Sequence, residues 1–225
     1  EHADEMIPIL KSSLPFWEHL KETEKKTLSQ WSQLIRYEKG GIIRCQNCEC
    51  TGVLIIKSGS VRTYMLSEEG KEITLYRLEQ GDVCVLSASC VLSAITFEVQ
   101  MEAVTESEII QISAGAYSEI VDRNIYAEAF TYKQATERFS DVMWTMQQIL
   151  FMSFDQRLAI FLLDESGKTG SDDIHMTHEQ LAKYTGSARE VVSRMLKYFS
   201  SEGLVKLSRG GVTILDKKGL KQLIS

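Results

Sequence analysis

Residues 176–211, MTHEQLAKYTGSAREVVSRMLKYFSSEGLVKLSRGG, constrain the fold more tightly than any other stretch of the chain. Thr177, with Gln180 three residues on, has the S/T-x-x-E/Q form in which side chains and backbone amides at a helix start satisfy one another. Ala182 is small where a second helix has to cross. Gly186 supplies the turn, because glycine takes a positive φ without steric cost. Ser187 is expected to cap the second helix, with Glu190 three residues later. Ala182, Gly186 and Val192, spaced four and then six apart, form the skeleton of a helix-turn-helix. At about 100° per residue, Ala188, Val192, Met195, Leu196 and Phe199 share one side of the second helix. Arg189, Glu190, Ser193, Arg194 and Lys197 share the other.

That polar side carries the residue types that read base edges: Arg for guanine, Glu for the cytosine amino group, Ser for either kind of partner. An isolated helix of this kind reads as a solvated amphipathic segment. The turn glycine and the preceding helix shift the reading to DNA contact, since this geometry sets the second helix in a major groove. Arg189-Glu190-Val191-Val192-Ser193-Arg194 resembles the recognition helix of the CRP/FNR family of bacterial transcription regulators. Both R-E-x-x-x-R, as in the cyclic-AMP receptor branch, and E-x-x-S-R, as in the FNR branch, are visible in it. The resemblance implies base contacts from Glu190 and Arg194, with Ser193 and Arg189 adjusting the sequence read. Thr177, Ser187 and Lys197 are candidates for backbone contacts, as are Lys206 and Arg209 on the β-hairpin that follows; such contacts position a protein without reading sequence.

Charge supports a reader attached to a different body. The net charge of −6 does not suggest a nucleic-acid binder. Residues 176–225, however, hold nine Lys and Arg against four Asp and Glu, while residues 1–175 hold 16 against 27. A basic module on an acidic body is the asymmetry expected of a DNA reader joined to a sensor. At 225 residues the chain can bury two modest cores. No run approaches a membrane span and no signal peptide opens the sequence, so a cytoplasmic protein is expected. Five cysteines, an odd count, argue against a disulfide framework.

Along the chain, residues 1–36 are helix-prone. Residues 37–112 change period to short β-branched runs at Val53–Ile56, Val61–Met65, Ile73–Tyr76 and Ile109–Ile112, separated by glycine turns. Such strands indicate an antiparallel sandwich or barrel; by resemblance this is a β-roll, a cupin-like jelly roll. Ala116 to Ser166 contains neither Gly nor Pro and favours long helices. Ile125, Tyr132, Phe139 and Met146 recur every seven residues. Ala135, Val142 and Ile149 follow three positions later, completing most of a coiled-coil seam that Glu128 breaks once. Ile125, Tyr132, Phe139, Val142, Met146 and Ile149 are the expected dimer contacts, with packing onto the β-roll as the alternative use of the helix. The fold class is therefore α+β, divided into a β-roll sensor (1–115), a dimerisation helix (116–151) and a winged helix-turn-helix (152–225). Gly167 to Asp173 reads as a surface loop.

The effector stays open. The family's nucleotide-binding members carry an Arg-Ser pair after Gly-Glu; here Gly81-Asp82 stands in that place and no Lys or Arg occurs from Leu78 to Asp122. A buried phosphate without a cation carries a prohibitive desolvation cost, which disfavours a cyclic nucleotide. The region is rich in sulfur instead: Cys45, Cys48 and Cys50 in one loop, and Cys84 and Cys90 beyond it. An iron–sulfur cluster, another cysteine-bound metal and redox thiols are open readings, as is an unidentified small molecule in the β-roll. For Cys84 and Cys90, which sit among Val, Leu and Ala, simple apolar packing is the strong alternative. His175 and His178 read as cap or surface residues. No nucleophile–base motif or phosphate-cradling loop appears, and residues 37–112 hold no His for a cupin metal, so no enzyme is expected. The expected function is a homodimeric transcription regulator on an inverted-repeat operator. Its partners would be DNA, a second copy and, by resemblance, RNA polymerase. Non-specific DNA binding, or a small-molecule module whose helix-turn-helix serves protein contacts, are the alternatives.

Overall fold

The computed structural model describes residues 2–44, 50–88, 91–92 and 99–225. Helix α1 (His2–Ser13), a single 3-10 turn at Trp17–His19 and α2 (Glu22–Gln30) open the chain. Seven strands follow: β1 (Ser32–Tyr37), β2 (Val53–Ser58), β3 (Ser60–Leu66), β4 (Glu72–Glu79), β5 (Val83–Cys84), β6 (Gln100–Ala103) and β7 (Ser107–Ile112). They form a four-stranded sheet ordered β1-β7-β2-β5 and a three-stranded sheet ordered β4-β3-β6. The paired strands run antiparallel where their register is defined, as in Leu34 opposite Ile110 and Arg62 opposite Glu102. Residues 32–36 belong by composition to the helix-prone opening; they form a strand with Tyr37 because β7 offers Leu34 and Ile35 a ladder that sequence alone does not reveal.

Strand β2 shows why the sheets stack as they do. Side chains alternate across a strand. Val53 and Ile55 pack with Leu10, Leu14, Trp17, Leu28 and Tyr117 of the helices. Leu54 and Ile56 pack the other way, with Val61, Tyr76, Leu78 and Met101 of the second sheet. With both faces covered, β2 reads as a continuous apolar run. The β2–β3 connection turns at Gly59, at φ +87°, where a Cβ would fall 2.2 Å from Ser107 Oγ and 2.5 Å from Glu106 O. Only glycine fits there.

Helix α3 (Ala114–Val121) ends before α4 (Ile125–Phe151), and α5 (Phe154–Thr169) follows. The break before α4 is made by Asn124, whose Oδ1 accepts the amides of Tyr126 and Ala127, a helix-start signal. Tyr117 and Thr131 join α3 to α4 by a buried hydrogen bond of 2.8 Å. Helix α5 continues past Gly167 to a left-handed cap at Gly170 (φ +67°), so the expected loop is shorter than its composition suggests. Strand β8 (Asp173–Ile174), α6 (His178–Thr185), α7 (Arg189–Ser201), β9 (Val205–Ser208), β10 (Gly211–Ile214) and α8 (Lys217–Ile224) complete the chain. The wing is thus a three-stranded sheet ordered β8-β10-β9, one strand more than the expected hairpin.

Two compact units result: residues 1–65 with 75–142, and residues 66–74 with 143–225. The core of the second includes Leu158, Leu162, Leu181, Val192, Leu196, Phe199, Val212 and Leu220. Among the described residues, no helix is long and apolar enough to cross a membrane.

Candidate nucleic-acid interface

The helix-turn-helix is built as its residues dictate. Thr177 Oγ1 accepts the Gln180 amide at 3.2 Å, and the Thr177 amide donates to Gln180 Oε1 at 2.8 Å. Gly186 takes a left-handed φ of +63° and its amide donates to the Ala182 carbonyl. The Ser187 amide donates to that same carbonyl at 3.1 Å. Helix α7 starts one residue later than expected: the Ala188 carbonyl accepts the amides of Val191 and Val192, so Ala188 holds the cap position and no side chain caps the helix. The expectation that Ser187 caps α7 is corrected accordingly. Val192, Leu196 and Phe199 are fully buried and Met195 is partly buried, whereas Ala188, placed on the same face by periodicity, is exposed.

On the opposite side Arg189, Glu190, Arg194 and Lys197 are exposed and Ser193 is half-buried. None of the four charged side chains makes an ion pair among the described residues, whereas cations elsewhere in this unit do, as Lys217 does with Asp172 at 2.6 Å. Charges left without intramolecular partners in one stripe are available to another molecule. Lys206 on β9 and Arg209 in the β9–β10 turn are exposed as well. One member of the set is not free: Ser193 Oγ lies 2.7 Å from His178 Nδ1. His178 is not the surface or cap residue expected from its position. It is half-buried, and burial, reinforced by the positive charges of Arg189 and Lys197, holds its imidazole below the usual histidine range.

Helix α4 presents two faces. Ala127 and Thr131 are fully buried, and Ala135 and Val142 pack on the cores of the β-roll unit. Val142, expected in the dimer seam, is thus turned inward. The exposed stripe takes its second set of positions from four residues on rather than three. Tyr132, Thr136, Phe139, Met143, Met146 and Leu150 alternate at spacings of four and three and are all exposed. Ile125 and Ile149, also expected in the seam, are exposed too. In this register Glu128 no longer interrupts the seam. Packing onto the β-roll and a free apolar stripe coexist on one helix.

Inside the β-roll unit, Thr63 of β3, Tyr76 of β4 and Cys84 of β5 are buried beside the two-sheet core. Cys84 and Thr63 lie close enough to the Tyr76 phenol to act on its ionisation, and burial pushes it well above the usual tyrosine range. Neither reaches hydrogen-bonding geometry with it: among the described residues, Thr63 Oγ1, Tyr76 OH and Arg138 Nε are buried with no hydrogen-bond partner. Arg138, from α4, lies over the Tyr76 ring at 5.2 Å and is neutralised by Asp141 at 3.0 Å and Asp82 at 3.6 Å. Arg62 is likewise committed, to Glu102 at 2.7 Å. A nucleotide phosphate at Arg138 would face two carboxylates. Sequence reading of residues 78–122 missed Arg138 because it comes from the distant helix.

Of the cysteines, Cys84 is a free, fully buried thiol, while Cys45, Cys48 and Cys90 lie outside the described residues. Cys50 is disulfide-bonded. The odd cysteine count argued against a disulfide framework, but an isolated bridge does not need an even count.

Comparison with known proteins agrees with this arrangement. Residues 156–223 match the family described as Crp-like helix-turn-helix domain, and residues 34–124 match the cyclic nucleotide-binding domain. A solved structure of a CRP/FNR-family transcriptional regulator from Eubacterium rectale is 47% identical over 93% of this chain and 97% of its own, with a TM-score of 0.87. The chain belongs to the CRP/FNR family of transcription regulators. Among curated relatives, the transcriptional regulatory protein Btr of Bordetella pertussis is 27% identical, over 84% of this chain and 80% of its own. The transcriptional regulator SdrP of Thermus thermophilus is 24% identical, over 75% and 81%. The β-roll, long helix and helix-turn-helix expected from the sequence are those of this CRP/FNR fold.

Proposed function

We propose that this CRP/FNR protein is a homodimeric, sequence-specific regulator. Residues 152–225 would read an inverted repeat, residues 116–151 would pair the two copies, and residues 1–115 would receive the signal. The observation that carries the reading is the exposed stripe of Arg189, Glu190, Arg194 and Lys197 on one face of α7, without ion pairs among the described residues. Arg194 and Arg189 suit guanine edges and Glu190 suits the cytosine amino group. Lys197, Lys206 and Arg209 suit phosphates, as do the hydroxyl of Thr177 and Ser187. The exposed stripe of α4 supports the dimer, because an apolar seam of this spacing is the surface that two helices bury together. RNA polymerase is the partner such a regulator would act on once bound. The activity lies in binding and needs no catalytic group.

Selection of binding sites from random DNA tests this. The expected product is a palindromic consensus with half-sites about one helical turn apart, roughly 10 base pairs. Retention without any consensus would instead support non-specific binding, and no retention would support a protein-contact role for α7.

For the signal, Thr63, Tyr76 and Arg138 favour a small molecule over a cyclic nucleotide. Buried polar atoms without partners carry a cost that a ligand oxygen would relieve. Arg138 Nε can only donate, so the ligand has to present an acceptor. Cys45, Cys48 and Cys90 remain the candidates for the metal reading, and Cys50, held in a disulfide, for the redox one; metal and sulfide analysis of protein purified without oxygen separates these from the small molecule. Cys84 is better placed as an apolar neighbour of Tyr76 than as a ligand.

A further inference from the structure

The serine on the reading face is tied to a residue outside it. Ser193 Oγ and His178 Nδ1, on α7 and α6, are 2.7 Å apart although fifteen residues separate them in sequence. We propose that His178 is a specificity-determining positioning residue: through Nδ1 it fixes where the single hydroxyl proton of Ser193 points, and hence which base edges Ser193 reads. The proposal rests on the reading of α7 as the DNA-reading helix.

A serine hydroxyl has one proton and two lone pairs, and it ordinarily rotates to suit its partner. Left alone, Ser193 would be tolerant of many bases. If Nδ1 is bare, it takes the hydroxyl proton, and Oγ is left as an acceptor only. It then suits the amino groups of cytosine or adenine. If Nδ1 carries a proton, it donates to Oγ and releases the serine proton outward. Ser193 then donates, to guanine O6 or N7, adenine N7 or thymine O4. One hydrogen bond inside the protein thus narrows a permissive residue to a selective one.

The surroundings make this bond responsive to pH. From α7, Arg189 and Lys197 face the imidazole and disfavour its protonation. From α6, Glu179 follows it in the chain and lines the same groove. From the wing, the groove is lined by Ser208 and Gly210, which carry no charge, and Thr177 adds a hydroxyl. With the imidazole held below the usual histidine range, it is neutral near pH 7 and gains a proton only on acidification. Protonation leaves no bare Nδ1, so Ser193 becomes a donor to DNA. A neutral ring has a choice of tautomer; a charged one has none.

The test compares full-length wild type with His178→Ala, His178→Asn, Ser193→Ala and the His178→Ala/Ser193→Ala double variant. The probes are duplexes carrying the selected consensus with each base pair varied in turn. The position read by Ser193 is the one whose preference Ser193→Ala erases. There the wild type should prefer its base by roughly two- to tenfold, the range of one hydrogen bond. His178→Ala should flatten that position alone and leave the positions read by Glu190 and Arg194 unchanged. The double variant should lose no more than either single one. His178→Asn, which puts an amide where Nδ1 stood, should restore a preference. As the pH is lowered from 7.5 the wild-type preference should change, while neither His178 variant's profile responds to pH. Uniform weakening on every duplex by His178→Ala would make His178 a backbone contact and overturn the proposal, as would additive single effects or a pH response that His178→Ala retains. A wild type that selects no sequence removes the reading of α7 itself, and the proposal with it. A consensus with an unaltered His178→Ala profile removes the proposal alone.

Discussion

Replacing Phe139 by alanine tests the dimer reading at the centre of the exposed stripe. The residue leaves 63% of its surface open. A large aromatic buries roughly 150–250 Å² when enclosed, so covering that fraction removes roughly 120 Å² per copy from water. At about 25 cal/mol/Å² this is about 3 kcal/mol. Alanine keeps the β-carbon, so the loss is about 2 kcal/mol per copy. Two-fold symmetry counts it twice, giving about 4 kcal/mol and roughly a thousandfold weaker dimer. Sedimentation equilibrium over a concentration series measures it. Val142→Ala is the control, because Val142 packs on the β-roll core. It should lower unfolding stability by about 1–2 kcal/mol and leave the dimerisation constant unchanged. If Phe139→Ala leaves association intact, or if Val142→Ala weakens it equally, α4 does not pair through this stripe and the seam assignment is wrong.

Three further outcomes are expected. Arg194→Ala should cost about 1–3 kcal/mol on the selected operator and little on random DNA, measured by titration at fixed salt; equal losses on both would make Arg194 a phosphate contact. Thr131 donates to the Ala127 carbonyl at 2.8 Å, so its oxygen must accept the Tyr117 hydroxyl proton. Thr131→Val should therefore leave a buried phenol unpaired and cost about 1–3 kcal/mol in urea unfolding, more than Tyr117→Phe, which removes the phenol with its need. Burial holds Tyr117 protonated up to about 12, against an ordinary value of 10.0. The neutral form is the one the fold favours, so this contribution is intact below pH 10 and is lost as pH rises from there towards 12. Alkaline unfolding should be less steep in Tyr117→Phe than in the wild type.

The helix-turn-helix was legible because each of its constraints is local. Thr177 and Gln180 are three residues apart, Gly186 sits where the chain must turn, and the face of α7 repeats within a few turns. Even here one local rule misled: Ser187 has the chemistry of a cap, but the turn carries the chain one residue further before α7 starts, which puts Ala188 at the cap position. The other misses share a different cause. Residues 32–37 become a strand because β7, about seventy residues later, completes the sheet. The heptad positions of α4 fit two seams equally well in sequence, one through Ala135 and Val142 and one through Thr136 and Met143. What decides between them is which side of α4 the β-roll core covers, and no spacing within the helix encodes that. Arg138 shares that inward face, which brings a cation to Tyr76 from more than sixty positions away and defeats any search of the β-roll segment alone. His178 and Ser193 belong to the same class. Each looks ordinary in its own helix, and their pairing exists only because Gly186 folds α6 back onto α7. On the proposed reading, a residue placed by a turn governs the chemistry of its neighbour on α7 without touching a base, and no pattern within either helix encodes that pairing.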